Sequence, residues 1–401
     1  MRFFWLIIAA LLLAGCSSGS KLGPVDPPAP LSEYTPTLKV TPVWARQLGK
    51  GTDEYYLRMR VLTDGERIFS ANHAGIVEAF GSAHGKRLWR VDVGQKLSAG
   101  PGDGGDLLLL GSGAEVIALS KADGHEVWRA PVSSEVLSAP VMAAGVVGVR
   151  SVDGGIFALD ASSGKRLWQS RQDVPLLTLR GTSRPLIEGD VMVCGEDNGR
   201  LIGLDLHSGQ ELWDTTVAVP HGRTDLARMV DIDGQMQVVD NVVYVVSYQG
   251  RVAAVTVDTG RLLWARDISS YTGLAVAGDY LYLTDSHGDI WALDRNSGGT
   301  MWKQAALHGR VLSAPTVQGD FLVVGDYDGY LHWLARDDGH LVARTRIHRP
   351  DYYFPAPSVP DDNGYVEKRN VLAPPAEEGY MVYAMDERGT LNAFRIAPLK
   401  P

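Results

Sequence analysis

The stretch Gly155-Ile156-Phe157-Ala158-Leu159-Asp160-Ala161-Ser162-Ser163-Gly164-Lys165-Arg166-Leu167-Trp168 returns as Gly199-Arg200-Leu201-Ile202-Gly203-Leu204-Asp205-Leu206-His207-Ser208-Gly209-Gln210-Glu211-Leu212-Trp213. Both copies run from a Gly-led apolar strand ending in Leu-Asp, through a small polar turn with Gly, to a polar pair and a Trp. Further copies end at Trp89, Trp128, Trp264 and Trp302. The seventh, Gly329 to Ala343, keeps the turn Asp337-Asp338-Gly339 but places Ala343 where Trp is expected. The eighth opens at Gly389-Thr390-Leu391-Asn392-Ala393-Phe394 and has no Trp strand after it. That strand sits at the other end of the chain: Pro42-Val43-Trp44-Ala45-Arg46 has no phrase in front of it.

The Trp positions recur at intervals of 38 to 51 residues, and a period of this size built from short strands means a propeller. In the third period, apolar stretches near 138–143, 146–151, 156–160 and 166–170 are separated by turn residues. The pattern predicts an all-β chain: an eight-bladed β-propeller with four-stranded antiparallel blades over 43–397, closed by pairing the N-terminal strand into the last blade. One blade exposes two apolar faces and cannot bury them alone, so blades stack and the ring closes. Val, Ile, Leu and Tyr suit the strands, and Asp-Gly or Ser-Gly supplies the positive φ of tight hairpins. The repeated Trp is expected to dock between adjacent blades as core. The segment 361–378, with its Asp-Asp-Asn-Gly, Glu-Lys-Arg-Asn and Pro-Pro runs, reads as a surface insertion interrupting the eighth blade.

The chain has 401 residues, with 38 Lys and Arg against 47 Asp and Glu, a net charge of −9 and no basic block. Nucleic-acid binding, which needs phosphate-neutralising charge, is excluded. Two cysteines exclude a disulfide scaffold, a Cys-rich zinc site and an iron–sulfur site. The ten histidines are scattered and show no metal-ligand spacing.

Arg2 followed by the uncharged run Phe3–Leu13 is too short to span a bilayer and reads as a signal-peptide core. Leu13-Ala14-Gly15-Cys16 resembles the lipobox of bacterial lipoproteins, which implies removal of residues 1–15 and lipidation of Cys16. Ser17 after the cysteine, rather than Asp, implies outer-membrane sorting by the same resemblance. Residues 16–42, rich in Ser, Gly and Pro, are expected to form a flexible tether. Cys194, within Val191-Met192-Val193-Cys194-Gly195, is expected to be a buried hydrophobe.

The phrase Ala-Leu-Asp-x-x-Ser/Thr-Gly-x-x-x-Trp resembles the quinoprotein repeat over about 43–396. The quinone enzymes of that group hold their cofactor with a vicinal Cys-Cys pair and calcium. Here Cys16 and Cys194 are the only cysteines, so neither that pair nor a Cys-x-x-Cys-His haem site exists. No cofactor or metal is expected. Lipobox, tether and cofactor-free propeller together resemble the BamB family, lipoproteins of the outer-membrane β-barrel assembly machinery. Val174-Pro175-Leu176-Leu177-Thr178-Leu179-Arg180-Gly181 resembles that family's Leu-x-Leu-Arg-Gly stretch, and Asp231-Ile232-Asp233 its Asp-x-Asp. The resemblance implies that Leu177, Leu179, Arg180, Asp231 and Asp233 contact BamA, the barrel-forming subunit. Gly234-Gln235-Met236-Gln237 departs from the family pattern, lacking a Pro.

Read without the resemblance, both stretches precede the inner strand of a blade and therefore emerge on one face of the ring, from blades 4 and 5. Leucines beside an Arg with two carboxylates suit a protein interface. The alternative from the residues alone is that the leucines belong to strands and Arg180 pairs internally with Asp231 or Asp233. The resulting expectation is a non-catalytic scaffold, lipid-anchored in the outer membrane of a Gram-negative bacterium and facing the periplasm. It would assist folding and insertion of outer-membrane proteins by binding the BamA-type subunit, with unfolded outer-membrane proteins as further partners. The alternatives are a quinone-dependent oxidoreductase-like propeller and an envelope ligand-binding lipoprotein.

Overall fold

The computed structural model describes residues 27–53, 55–181, 183–350 and 369–399. Cys16, the expected signal peptide and residues 361–368 of the expected insertion lie outside the described residues. Eight four-stranded antiparallel sheets follow one another along the chain. Blade 3 is representative, with strands Val141–Ala143, Val146–Arg150, Gly155–Asp160 and Arg166–Arg171. The first strand of each blade neighbours the first strands of the blades beside it, so these short strands surround the axis and the Trp strands form the perimeter. Among the described residues the only helix is a single 3₁₀ turn, Leu226–Arg228.

Ring closure follows the expected scheme. Blade 8 takes Ala376–Glu378, Met381–Met385 and Thr390–Pro398 from the C-terminal end, and Leu38–Gln47 from the N-terminal end as its outer strand. Two boundaries differ from the expectation. The closing strand begins at Leu38 rather than 43, because Leu38 pairs with Pro398 and is buried between blades 7 and 8. The preceding residues also lie against the ring: the Ala29 amide donates to the His308 carbonyl at 2.8 Å, Arg344 donates to the Ser32 carbonyl at 3.1 Å, and the Thr37 amide donates to the Val342 carbonyl at 3.1 Å. Within 361–378, residues 376–378 are the inner strand of blade 8, paired with Met381–Tyr383. The described residues before it, 369–375, therefore precede blade 8 instead of interrupting it.

Each repeated Trp lies between its own blade and the next. The indole N–H of Trp168 donates to the Leu206 carbonyl at 2.7 Å, and that of Trp213 to the Val257 carbonyl at 2.7 Å. The turn glycine of the next blade lies flat on the ring. At Gly209, φ is +72° and a Cβ would sit 2.6 Å from the Trp168 indole, so conformation and space both demand glycine there. Across the strand pair each Trp opposes a small residue, as in Trp168 opposite Ala158. Blade 7 inverts this pair: Ala343 opposes Trp333, and the fully buried Trp333 fills the space between blades 7 and 8 from the middle strand. The exchange falls at the seam, where Thr390–Pro398 and Leu38–Gln47 pair without a hairpin between them. No turn glycine is present there to receive an indole from blade 7.

Candidate functional site

In every blade the loop before the inner strand and the turn between the two middle strands emerge on one face. The loop 172–185 leads from blade 3 into blade 4, and the loop 217–236 from blade 4 into blade 5. The structure brings the two sequence-predicted stretches together residue by residue. The Asp231 carboxylate accepts the Leu179 amide at 3.2 Å. Two residues further on, a Cβ on Gly181 would lie 2.6 Å from Asp233 Oδ2, so Gly is required by the close approach of that carboxyl. Leu-Arg-Gly and Asp-x-Asp thus form one unit.

Within this unit the five side chains differ in exposure. Leu177 is 44% exposed, Leu176 fully exposed and Leu179 half-buried. Arg180 is exposed and pairs with Glu135 of the loop entering blade 3, at 2.7 Å; the internal pairing with Asp231 or Asp233 does not form. Asp231 and Asp233 are buried, and Asp233 also borders a hollow beside Arg180. They hold the floor on which the leucines and Arg180 stand.

That floor continues inward. Arg150, at the end of a blade 3 strand, is fully buried and donates to Asp197 at 2.7 Å, with Glu196 3.6 Å away. Both acids lie in a turn of blade 4, and the Glu196 carbonyl accepts the Ile232 amide at 3.2 Å. Burial disfavours the Arg150 charge, but the two carboxylates outweigh it and hold the guanidinium protonated. Burial pushes Glu196 up to about 7, opposed by Arg150. It pushes Asp231 up to about 6, opposed chiefly by the Leu179 amide. Asp233 rises to about 8, again chiefly by burial, with Arg58 drawing it back and Asp197 and Asp231 adding repulsion.

These shifts set a pH dependence. The neutral form of Asp233 is favoured in the fold, so its burial costs nothing below the ordinary Asp value of ~3.9 and destabilises increasingly as pH rises through about 8. The thermal midpoints of the wild type and Asp233→Asn are expected to diverge between pH 5 and pH 8.5, with the Asn protein gaining at the alkaline end. Identical pH slopes for the two would show that burial of this carboxyl is not the cause.

Several residues at this face carry no motif in the sequence. A hollow of about 400 Å³ borders Leu179 and Arg180 and is lined also by Tyr55, Tyr56, Tyr248 and Tyr271. Tyr55 and Tyr56 lie in the loop entering blade 1 and Tyr271 in the loop entering blade 6. The available signal was positional: all three precede an inner strand, as 177–181 does. Cys194 is buried as expected, and burial raises its thiol pKa. Among the described residues, Asp337, Asp338 and His340 alone bring three metal-ligand atoms close together, on an exposed repeat turn.

A protein-family model described as "Outer membrane protein assembly factor BamB" matches residues 73–304. The protein of that name from Yersinia pestis is 34% identical over 91% of this chain and 95% of its own length. That from Xanthomonas campestris pv. campestris is 38% identical over 99% and 98%. The crystal structure of BamB from Moraxella catarrhalis superposes with a TM-score of 0.76 at 25% identity, covering 89% of this chain and all of that one. The quinohemoprotein alcohol dehydrogenase of Comamonas testosteroni, at 12% identity and a TM-score of 0.65, shares the fold. With the family model spanning more than half of the sequence and relatives a third identical along nine-tenths of it, this chain belongs to the BamB family of outer membrane protein assembly factors.

Proposed function

We propose that this protein is a non-catalytic scaffold in outer-membrane protein assembly, held at the outer membrane by lipid on Cys16 after removal of residues 1–15. It binds the barrel-forming subunit, BamA, through the loop carrying Leu177, Leu179 and Arg180, which Asp231 and Asp233 position from below. The observation that carries this reading is the combination of exposed leucines with a buried, hydrogen-bonded support. Leu177 presents apolar area to solvent while the backbone beside it is clamped by Asp231. A preorganised loop loses little entropy on binding, and Arg180 is of a residue type enriched in binding hot spots, with the exposed leucines supplying apolar area beside it.

A role toward unfolded outer-membrane proteins has its own support at the perimeter. The residue before six of the seven repeated Trp residues is an exposed hydrophobe: Leu88, Val127, Leu167, Leu212, Leu263 and Met301. Each stands on the outer strand of its blade, whose free edge can pair with an extended chain.

The test of the first reading is co-purification from mild-detergent envelopes of tagged wild type beside Leu177→Ala/Leu179→Ala/Arg180→Ala. The triple variant is expected to fold normally and to lose the barrel-forming subunit by roughly 100-fold or more, two hot-spot truncations of about 2 kcal/mol being sufficient. Equal recovery with both proteins would leave the family role standing and refute the site. Recovery with neither would refute the proposed contact altogether.

A further inference from the structure

Residues 27–37 cross the rim of the ring at blade 7, and bonds fix the path at both ends and in the middle. At the face that carries the loops between blades, Pro28 lies against Gly309, the Ala29 amide donates to the His308 carbonyl at 2.8 Å, and the Ala29 carbonyl accepts from Arg310 at 3.3 Å. Arg310 is itself buried and held by Asp326 and Asp328, at 2.7 and 3.0 Å. Farther along, Tyr34 packs on the core between blades 6 and 7, with the Arg344 guanidinium 5.0 Å from its ring centroid. Arg344 also donates to the Ser32 carbonyl at 3.1 Å. At the opposite face the Thr37 amide meets the Val342 carbonyl, and the Thr37 carbonyl accepts the Leu399 amide at 3.2 Å.

The outer strand of blade 7, Leu341–Arg346, is adapted to this cover. Val342 holds the place of the exposed hydrophobes that precede the Trp of other blades, such as Leu88 and Leu167, yet it is 1% exposed and packs in the same cluster as Leu38. Pro27, Pro28, Pro30 and Pro36 restrict the segment before it docks, so docking loses less backbone entropy. Only the eleven residues 16–26 then separate Cys16 from the docked segment, and at ~3.6 Å per residue they reach no farther than ~40 Å.

We infer that residues 27–37 are a docked arm that orients the ring on a lipid surface: the lipid tether departs beside the loop entering blade 7 and holds the loop-bearing face toward the bilayer. This rests on the reading that Cys16 carries the lipid. Without the docked arm, the tether would join the ring at Leu38, on the opposite face, through the 22 residues 16–37. With it, the lipid is attached on the side of the ring that also carries the loop 177–180. One face then serves both the bilayer and the proposed protein contact.

The test places the full-length lipidated protein on vesicles of phosphatidylethanolamine and phosphatidylglycerol that carry a fluorescent acceptor on their headgroups. Cys194 is buried, so a donor dye attaches at an introduced exposed cysteine. One is placed at position 311 in the loop entering blade 7, where Val311 is 43% exposed, and another at position 380 on the opposite face, where Tyr380 is 73% exposed. Energy transfer at 311 is expected to exceed that at 380 by roughly twofold, since the tether confines the first to within ~40 Å of the lipid. Tyr34→Ser/Arg344→Ser should abolish the difference, and Tyr34→Ser alone, which leaves the blade 7 strand untouched, should reduce it. Chymotrypsin should cut after Leu31 and release the ring from the vesicles roughly tenfold faster in the double variant than in wild type, because cleavage follows opening of the arm. Equal transfer at 311 and 380 in wild type, or equal release rates, would overturn the arm and leave the anchor intact. Failure of wild type to bind vesicles, as Cys16→Ser is expected to fail, would overturn the anchor and the arm's role together.

Discussion

Replacing Arg150 with alanine is expected to destabilise the propeller by about 3–5 kcal/mol, the usual cost of removing one partner from a buried ion pair. The side chain is fully enclosed, and its two acids are 3% and 4% exposed. Without the guanidinium, Glu196 and Asp197 are two carboxylates in a low-dielectric site, and each can regain stability only by taking up a proton. The damage reaches the functional face because the Glu196 carbonyl holds the Ile232 amide between Asp231 and Asp233. Urea unfolding should show the loss, and it should grow as pH rises through the Glu196 value of about 7. The combination Arg150→Met/Glu196→Gln/Asp197→Asn should recover much of it, since the cost lies in the uncompensated charge and not in the missing contact. A loss below about 1 kcal/mol for Arg150→Ala, which is the range of exposed pairs, would show that solvent reaches the cluster.

Trp168→Ala is expected to cost a similar amount, about 3–5 kcal/mol, for a different reason. The indole is buried among Ile156, Met192, Ile202 and Leu204 at the junction of blades 3 and 4. Truncation leaves a cavity there and strands the Leu206 carbonyl. Trp168→Phe keeps most of the area and loses the hydrogen bond, so it should cost less, with the bond itself contributing about 1 kcal/mol. Gly209→Ala attacks the same junction from the other side: the left-handed backbone alone costs ~1–2 kcal/mol, and the added methyl meets the indole. Denaturation midpoints in the order wild type, Trp168→Phe, Trp168→Ala are the expected outcome. If Gly209→Ala is neutral in wild type, the indole does not sit against the turn as described.

Different parts of the protein became legible at different levels. The polar turn that closes each repeat is local: Asp160, Asp205 and Asp294 each accept the amide three residues on, at 2.8–2.9 Å. A bond of that range is written in sequence spacing and was readable there. That the loops carrying 177–181 and 231–233 share one face was also readable, because strand order places both there; the choice of those positions came from the family resemblance. Their burial was not readable. Asp231 and Asp233 resemble exposed carboxylates in sequence and become support because Gly181 leaves room for the loop to close over them.

The sequence by itself determined that this chain is an eight-bladed ring closed by its own N-terminal strand. A phrase repeated every 38 to 51 residues needs no long-range information to be recognised, and each copy must stack on another to bury its faces. Only the tertiary structure decided which loop residues form the face. Tyr55, Arg58, Glu135, Arg180 and Tyr271 come from four different inter-blade loops, and no spacing links them. Closing the ring brings those loops to one end of the axis, and there Arg180 finds Glu135 instead of Asp233, because burial had already committed the aspartates to the loop beneath.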